Sequence, residues 1–206
     1  MKRPAQSERP HVSLREENHE ITLYIDDGQA MQGWERDLMH ASADLLCEHG
    51  SEFLEIGLGL GISALRIAGH PGTRRHVVLE KYREVIDLFR ERTPAPPAAL
   101  EVIQADFFDY VGALPVNAFD GIFFDPYLPA AIRNDQALWD EVMPRLARVL
   151  RAGGVFLPCF TTRPTLYWID YFDRVVVRRR AYTAYETTTY VARVSGSAYI
   201  HCYYRD

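Results

Sequence analysis

Apolar positions along the chain fall into two alternating regimes, short contiguous runs and longer stretches with hydrophobics three or four residues apart. From Gly33 to His49 the residues Trp34, Leu38, Ala41, Leu45 and Leu46 recur at helical spacing ahead of Gly50, which predicts an amphipathic helix. Phe53-Leu54-Glu55-Ile56 then reads as a strand ending in glycines, and Ile62 to Ala68 as a helix stopped by His70-Pro71-Gly72. His76 to Glu80 predicts a second strand that closes on an acid. Tyr82 to Arg92 predicts a helix with Val85, Ile86 and Phe89 inward, broken by Pro94 to Pro97. Leu100 to Ile103 and Phe119 to Phe124 predict two more strands, followed by a helix from Leu138 to Leu150. Arg151-Ala152-Gly153-Gly154 ends that helix, and Val155 to Phe160 makes a fifth strand. This alternation points to an α/β fold with a parallel sheet covered on both faces. The carboxyl-terminal stretch differs. Val175 to Val177, Tyr190 to Val194 and Ala198 to Tyr204 are β-branched and aromatic, and Ser195-Gly196-Ser197 reads as a tight connection between two antiparallel strands.

Composition narrows the class. With 206 residues, 48% of them hydrophobic, the chain suits one compact domain large enough to enclose a small-molecule pocket. The expected division is a polar segment over residues 1–20, a candidate mobile lid, followed by one domain over 21–206. A net charge of −5 supplies no general positive field for a phosphate backbone, so nucleic acid is not the expected partner. Cys47, Cys159 and Cys202 are odd in number and widely spaced, which indicates neither a disulfide framework nor a zinc site. The amino terminus lacks an apolar core of the signal-peptide kind, and no apolar stretch reaches the roughly 18–20 residues that a membrane span needs. A cytoplasmic enzyme without membrane contact or metal, monomeric or homodimeric, is the expectation.

The chemistry begins at Glu55-Ile56-Gly57-Leu58-Gly59-Leu60-Gly61. Gly57, Gly59 and Gly61 directly after a strand let the backbone turn sharply and approach a ligand. Such a loop also serves dinucleotides, but their fingerprint carries its third glycine three residues after the second, to seat a pyrophosphate. Here Ile62 follows at once, and Glu55 precedes the glycines, where a carboxylate suits an ammonium and repels a pyrophosphate. Glu80 ends the next strand, where its two oxygens can accept from ribose hydroxyls. Asp106, with Phe107 beside it, follows the third strand and is placed to meet an adenine edge; a strand-end acid without a ligand is the plainer reading. This order resembles the motifs of class I methyltransferases that use S-adenosylmethionine. The resemblance implies a Rossmann-like seven-stranded sheet, mostly parallel with an antiparallel C-terminal hairpin, and S-adenosylmethionine as cofactor.

On the acceptor side, Asp125-Pro126-Tyr127 emerges from the fourth strand, at the edge where ligands sit in open α/β sheets. It is similar to the Asp-Pro-Pro-Tyr motif of enzymes that methylate amino groups of nucleic acids, less one proline. A fuller likeness takes in Met31-Gln32-Gly33-Trp34-Glu35, Met39, Phe119-Asp120-Gly121-Ile122, Asp125, Tyr127, Gly153-Gly154-Val155 and Cys159 to Thr162, which together resemble guanidinoacetate methyltransferase over about residues 20–165. That resemblance implies a small-molecule guanidino acceptor clamped by Glu35 and Asp125. It also implies a substrate carboxylate held by the amides of Thr161 and Thr162, and Met39 against the adenosyl group. Two carboxylates suit a guanidinium, a planar fork of donors. Because a guanidinium has no free lone pair, one carboxylate must draw off a proton as the carbon–nitrogen bond forms; Asp125 is the expected base and Glu35 the positioning partner. Met39 reads more readily as core than as a ligand contact, Trp34 as core or as a lid over the donor, Tyr127 as a stacking or loop-ordering ring, and the threonines as turn formers. Arg178, Arg179 and Arg180 read as a solvated edge or an anion grip. A primary amine or nucleobase acceptor, or a protein that binds S-adenosylmethionine without turnover, are the competing classes.

Overall fold

The computed structural model describes residues 11–17 and 19–206, so the candidate lid over 1–20 lies in part outside the described residues. Three antiparallel strands open the fold: β1 (Val12–Glu17), β2 (Glu20–Ile25) and β3 (Gly28–Gln32). A single-turn 3-10 helix, Gly33–Glu35, leads into α1 (Arg36–Cys47). Then follow β4 (Glu52–Ile56), α2 (Ile62–Ala68), β5 (Arg75–Glu80), α3 (Arg83–Arg92), β6 (Leu100–Gln104) and α4 (Phe107–Tyr110). The chain continues through β7 (Phe119–Phe124), α5 (Ala130–Arg133), α6 (Gln136–Val149), β8 (Leu150–Pro158), β9 (Arg174–Thr183) and β10 (Ser195–Arg205).

The second sheet has seven strands in the order β6-β5-β4-β7-β8-β10-β9. Its first five strands pair in parallel, while β10 runs antiparallel to both β8 and β9. This is the Rossmann-like sheet expected. Strands buried on both faces account for the contiguous apolar runs, since adjacent residues must satisfy opposite cores. Phe53 and Phe123 pack with Met39, Ala43 and Leu46 of α1, whereas Leu54 and Phe124 pack with Trp139, Val142 and Leu146 of α6. The strand order reverses between β4 and β7, so their carboxyl ends open the crevice that doubly wound sheets use for ligands.

Two expectations need correction. Ser195-Gly196-Ser197 is not a turn. It begins β10, where Gly196 pairs with Tyr182, and residues 184–194 form the connection instead. Those residues have strand propensity but bond to the first sheet and α1 region: Gln29 Nε2 donates to the Thr187 carbonyl (2.8 Å), and Thr189 N donates to Gln29 Oε1 (2.8 Å). Arg151 to Gly154 likewise lie inside β8, with Gly154 opposite Arg205, and do not separate helix from strand. The first sheet has no counterpart in the sequence-based expectations. Its signal was present in Ile21, Leu23 and Ile25 alternating ahead of Asp27-Gly28, a hairpin dipeptide; Asp26 takes φ 54° in the two-residue turn.

The Phe-Asp-Gly-Ile segment proves structural. Asp120 Oδ2 accepts from the Ser51 and Glu52 amides at 2.8 and 2.9 Å, and Oδ1 binds Arg151 Nη1 at 2.7 Å. Burial pushes its carboxyl up, but those amides and the Arg151 guanidinium outweigh burial and hold it below the usual range. With its folded value depressed, this contribution is present above the ordinary 3.8 and lost as pH falls through the lowered value. Asp120→Asn should therefore cost roughly 1–3 kcal/mol in urea unfolding near neutral pH. The difference from wild type should shrink in acid.

Candidate active site

A cavity of about 800 Å³ opens at the carboxyl ends of β4, β5, β6 and β7. Gly57 and Gly59 form its floor, Glu80, Asp106 and Phe107 one side, and Asp125 and Tyr127 another. Leu23, Ile25 and Met31 of the first sheet close it from above. At Gly59, with φ 51°, an added β-carbon would lie 2.9 Å from Met31 Sδ. At Gly57, with φ 94°, it would lie 2.4 Å from the Asp125 carbonyl. Glycine is therefore what lets the loop after β4 pass beneath β3 and against the end of β7.

Glu80 is buried, which pushes its carboxyl up against the amides that lower it. Oε2 accepts from Leu58 N (2.9 Å) and Oε1 from Tyr82 N (2.8 Å), so the carboxylate also fixes the loop it helps to line. Asp106 caps α4 by accepting from Phe108 N at 3.0 Å and lies 3.2 Å from Lys81 Nζ.

Several residues lie elsewhere than expected. Glu55 does not line the cavity. It is buried behind the loop, with Oε1 accepting from Ser63 Oγ at 2.5 Å and Oε2 3.0 Å from His76 Nε2. Its side chain leaves β4 on the face that α2 covers, which turns it from the crevice. Gly61 is the left-handed N-cap of α2 and packs against Phe89, also away from the cavity. Met39 is core on the inner face of α1, and Met31 is the methionine at the cavity. Trp34 lies outside the cavity too, in an aromatic group with Phe160, Tyr182 and Tyr190; its ring is nearly parallel to that of Tyr190, 6.2 Å between centroids. Thr162 lines neither cavity, and the Thr161 amide is occupied by the Tyr199 carbonyl at 3.0 Å. Arg178, Arg179 and Arg180 are exposed on edge strand β9, with Arg179 Nε donating to Ser197 Oγ.

Glu35 and Asp125 lie close enough to interact through charge, although Glu35 lines neither of the two cavities that Asp125 borders. Asp125 ends β7, its amide bonded to the Ile56 carbonyl (2.9 Å), and lines both the large cavity and a second one of about 290 Å³. Burial, then the charge of Glu35, pushes its carboxyl up to about 8, against a hydrogen bond from the Cys159 thiol. That thiol is itself pushed well above its ordinary value by burial and by Asp125 and Glu35, so it remains a donor. Glu35 is 4% exposed, and burial raises it to about 7 against the Tyr190 hydroxyl and the Gln32 amide. Its Oε1 accepts both: Gln32 N at 2.8 Å in a capping box, and the Tyr190 hydroxyl in a short bond. Tyr190 was not foreseen, since one aromatic residue in a stretch read as a strand carries no signal of its tertiary contact. Among the described residues, no three His, Cys, Asp or Glu side chains are grouped to hold a metal.

Residues 11–174 match the family model for guanidinoacetate N-methyltransferase. The chain belongs to the guanidinoacetate N-methyltransferase family. It is a methyltransferase-type enzyme by family and fold, and among the described residues no helix is long and apolar enough to cross a membrane. The same fold occurs in spermidine synthase from Thermotoga maritima, at 16% identity and TM-score 0.69, covering 98% of this chain and 72% of that one. A spermidine synthase in complex with the transition state analogue AdoDATO matches over the same shares at 18% identity and TM-score 0.71. Precorrin-6y C5,15-methyltransferase from Geobacter metallireducens GS-15 is similar at 16% identity and TM-score 0.57, covering 82% of this chain and 87% of that one. At these identities the likeness is one of fold. The family match stops at residue 174, so Tyr190, which covers Glu35, comes from outside the matched residues.

Two outcomes follow from the raised carboxyls. Tyr190→Phe removes a donor that lowers Glu35, so the Glu35 titration followed by carboxyl-labelled NMR should move above about 7. In the second, folded values above the ordinary 4.5 and 3.8 mean that the folded state holds protons the unfolded chain has released. The contribution of the pair is full below those ordinary values and is lost as pH rises through about 7 to about 8. Glu35→Gln with Asp125→Asn should therefore melt higher than wild type at about pH 9, with the gap narrowing toward about pH 5.

Proposed function

We propose that the protein transfers a methyl group from S-adenosylmethionine to a guanidino nitrogen of a small molecule. The observation that carries this reading is Asp125, whose carboxyl lies where the large donor-sized cavity meets the smaller one and feels the charge of Glu35. Family membership agrees with it. The residues fit the donor: the cavity volume is ample, Gly57 and Gly59 leave the loop backbone open to a ligand, Glu80 and Asp106 offer acceptors, and Leu23, Ile25 and Met31 an apolar roof. Bound there, S-adenosylmethionine would supply an electrophilic methyl carbon on a sulfonium.

Two desolvated carboxylates with raised proton affinity are uncomfortable when empty and suited to a cation. A guanidinium laid between them restores both to the ionised form, each accepting charge-assisted hydrogen bonds. Glu35 is held by Gln32 and Tyr190 through one oxygen, which fixes it as the positioning group. Among the described residues Asp125 has the Cys159 thiol as its side-chain partner, and it is the stronger base of the two, at about 8 against about 7. Asp125 would take one nitrogen proton from the guanidinium as that nitrogen accepts the methyl group and would pass it to solvent. The products are an N-methylguanidinium and a neutral thioether. A primary ammonium, the competing acceptor, also has donors for two carboxylates but lacks the planar fork that pairs with a carboxylate through two parallel bonds.

Labelled methyl transfer to a panel of guanidines and amines tests the reading. With a guanidine acceptor, kcat/KM should climb as pH rises through about 7 to about 8, because both carboxylates must be ionised, and then flatten. Asp125→Asn should lower kcat by about 10²–10⁴-fold, the usual worth of a positioned base. Glu35→Gln should act mainly on KM, by roughly 10- to 100-fold, the worth of a charge-assisted hydrogen bond. Transfer to amines alone, or full activity in the double variant, would sink the proposal.

A further inference from the structure

The connection between β9 and β10 is a strap laid over the first sheet and the turn that carries Glu35. Its ends meet where Ala184 N donates to the Val194 carbonyl at 2.6 Å, one step past the rung that pairs Thr183 with Ser195. Among the described residues, no backbone-to-backbone hydrogen bond joins residues 185–193 to the rest of the fold; the one found there is internal, from Thr188 N to the Tyr185 carbonyl. Side chains hold the strap instead, and most of its residues are exposed. Gln29 of β3 makes three of the bonds: Nε2 donates to the Thr187 carbonyl, and Oε1 accepts from Thr189 N and Thr189 Oγ1, each at 2.8 Å. Thr187 Oγ1 donates to Glu20 Oε2 at 2.9 Å, and Thr188 Oγ1 to Gln32 Oε1 at 2.5 Å. The apolar contacts are few, with Tyr190 beside Trp34 and Val191 against the small cluster around Leu38 and Tyr182.

This strap reaches the site through Tyr190. Its hydroxyl donates to Glu35 Oε1, the oxygen that also accepts from Gln32 N at 2.8 Å, while the tyrosine as a whole stays 41% exposed. Burial and the neighbouring carboxyl push the hydroxyl well above its ordinary value, so it remains a donor. Glu35 is buried and lines neither cavity, so an acceptor that is to meet its carboxylate requires a group to move. The Gln32 amide is fixed by the backbone of the capping box. Tyr190 is the donor that can leave, because exposed side-chain hydrogen bonds anchor its strap and water replaces such bonds at small net cost. A guanidinium brings to an ionised carboxylate a full opposite charge that a neutral hydroxyl lacks.

We infer that residues 184–194 form a lid over Glu35, latched by the Tyr190 hydroxyl, and that a guanidino acceptor binds by taking the place of that hydroxyl on the carboxylate. The inference rests on the guanidine reading given above for Glu35 and Asp125. The latch competes with the acceptor, so the acceptor's apparent affinity is reduced by the fraction of molecules whose lid is open. Loosening the lid therefore strengthens acceptor binding. A tyrosine that served only to position Glu35 would have the opposite effect, and its loss would weaken binding.

The test measures calorimetric binding of guanidinoacetate, arginine and butylamine to the full chain saturated with S-adenosylhomocysteine. It is run at about pH 9, above the values of about 7 and about 8 to which Glu35 and Asp125 are raised. Tyr190→Phe should tighten binding of a guanidine by roughly three- to tenfold, the worth of one hydrogen bond. Gln29→Ala, at a residue that lines neither cavity, releases three bonds to the strap and should tighten it by a similar factor. In the wild-type chain the guanidine should speed hydrogen–deuterium exchange of the Thr189 amide, which Gln29 holds when the strap is down. A guanidine that binds the variants and not wild type also counts for the lid. Unchanged or weaker guanidine binding in either variant, or exchange at Thr189 that does not rise, overturns the lid and leaves guanidine recognition standing. Binding of butylamine alone, or of none of the three by any of the proteins, overturns the guanidine reading itself. If Tyr190→Phe fails to fold, Gln29→Ala and the Thr189 exchange decide.

Discussion

Glu35 and Asp125 are two carboxyls of like charge withdrawn from water, and the surrounding structure is arranged so that they can be held there without a cation. The capping box at Gln32 and the Tyr190 hydroxyl hold Glu35 from one side, and the Cys159 thiol holds Asp125 from the other. These donors lower the carboxyls but do not overcome burial, so both stay protonated to a higher pH than an exposed acid. A cation placed between them would favour their ionised forms. Affinity and instability have the same origin here.

Rigid elements on either side fix the distance over which the two groups act. Asp125 is placed by β7, whose residues Phe123 and Phe124 are locked into opposite cores, and its backbone is braced by Ile56 and by the side-chain-free Gly57. The 3-10 turn that carries Glu35 is continuous with α1, which the sheet buries through Leu38, Met39 and Leu46. The same turn follows β3, so the first sheet both roofs the large cavity through Met31 and leads into the turn that carries Glu35. A single segment thus couples the two halves of the site.

The wall of the smaller cavity divides between family-matched and unmatched chain. Trp168, Tyr167 and Thr165 precede residue 174, whereas His201, Tyr203 and the Tyr199 carbonyl belong to β10, and Tyr190 to the loop before it. Glu35 and Asp125 both lie within the matched residues. His201 and Tyr203 of β10 line the smaller cavity beside residues that all precede residue 174, and among the described residues no lysine or arginine lines it.

The parallel sheet and its helices were legible in the sequence because burial on both faces forces contiguous apolar runs, and amphipathic helices must repeat at their own period. Asp125 and the glycines after β4 were legible because strand ends at the switch point face the crevice by topology alone. The sequence did not reveal which way a side chain leaves a strand or turn once the backbone is fixed. Glu55 precedes the glycine loop yet turns to Ser63 and His76, and Met31 rather than Met39 reaches the cavity. Nor did it show which distant segment would supply a partner. Tyr190 meets Glu35, and the Tyr199 carbonyl closes the Thr161 amide, across separations that no local pattern encodes. Local periodicity therefore set the elements and the edge of the sheet at which chemistry occurs. Tertiary packing decided which acids are desolvated together and which amides remain free, because both depend on contacts between chain segments far apart in sequence.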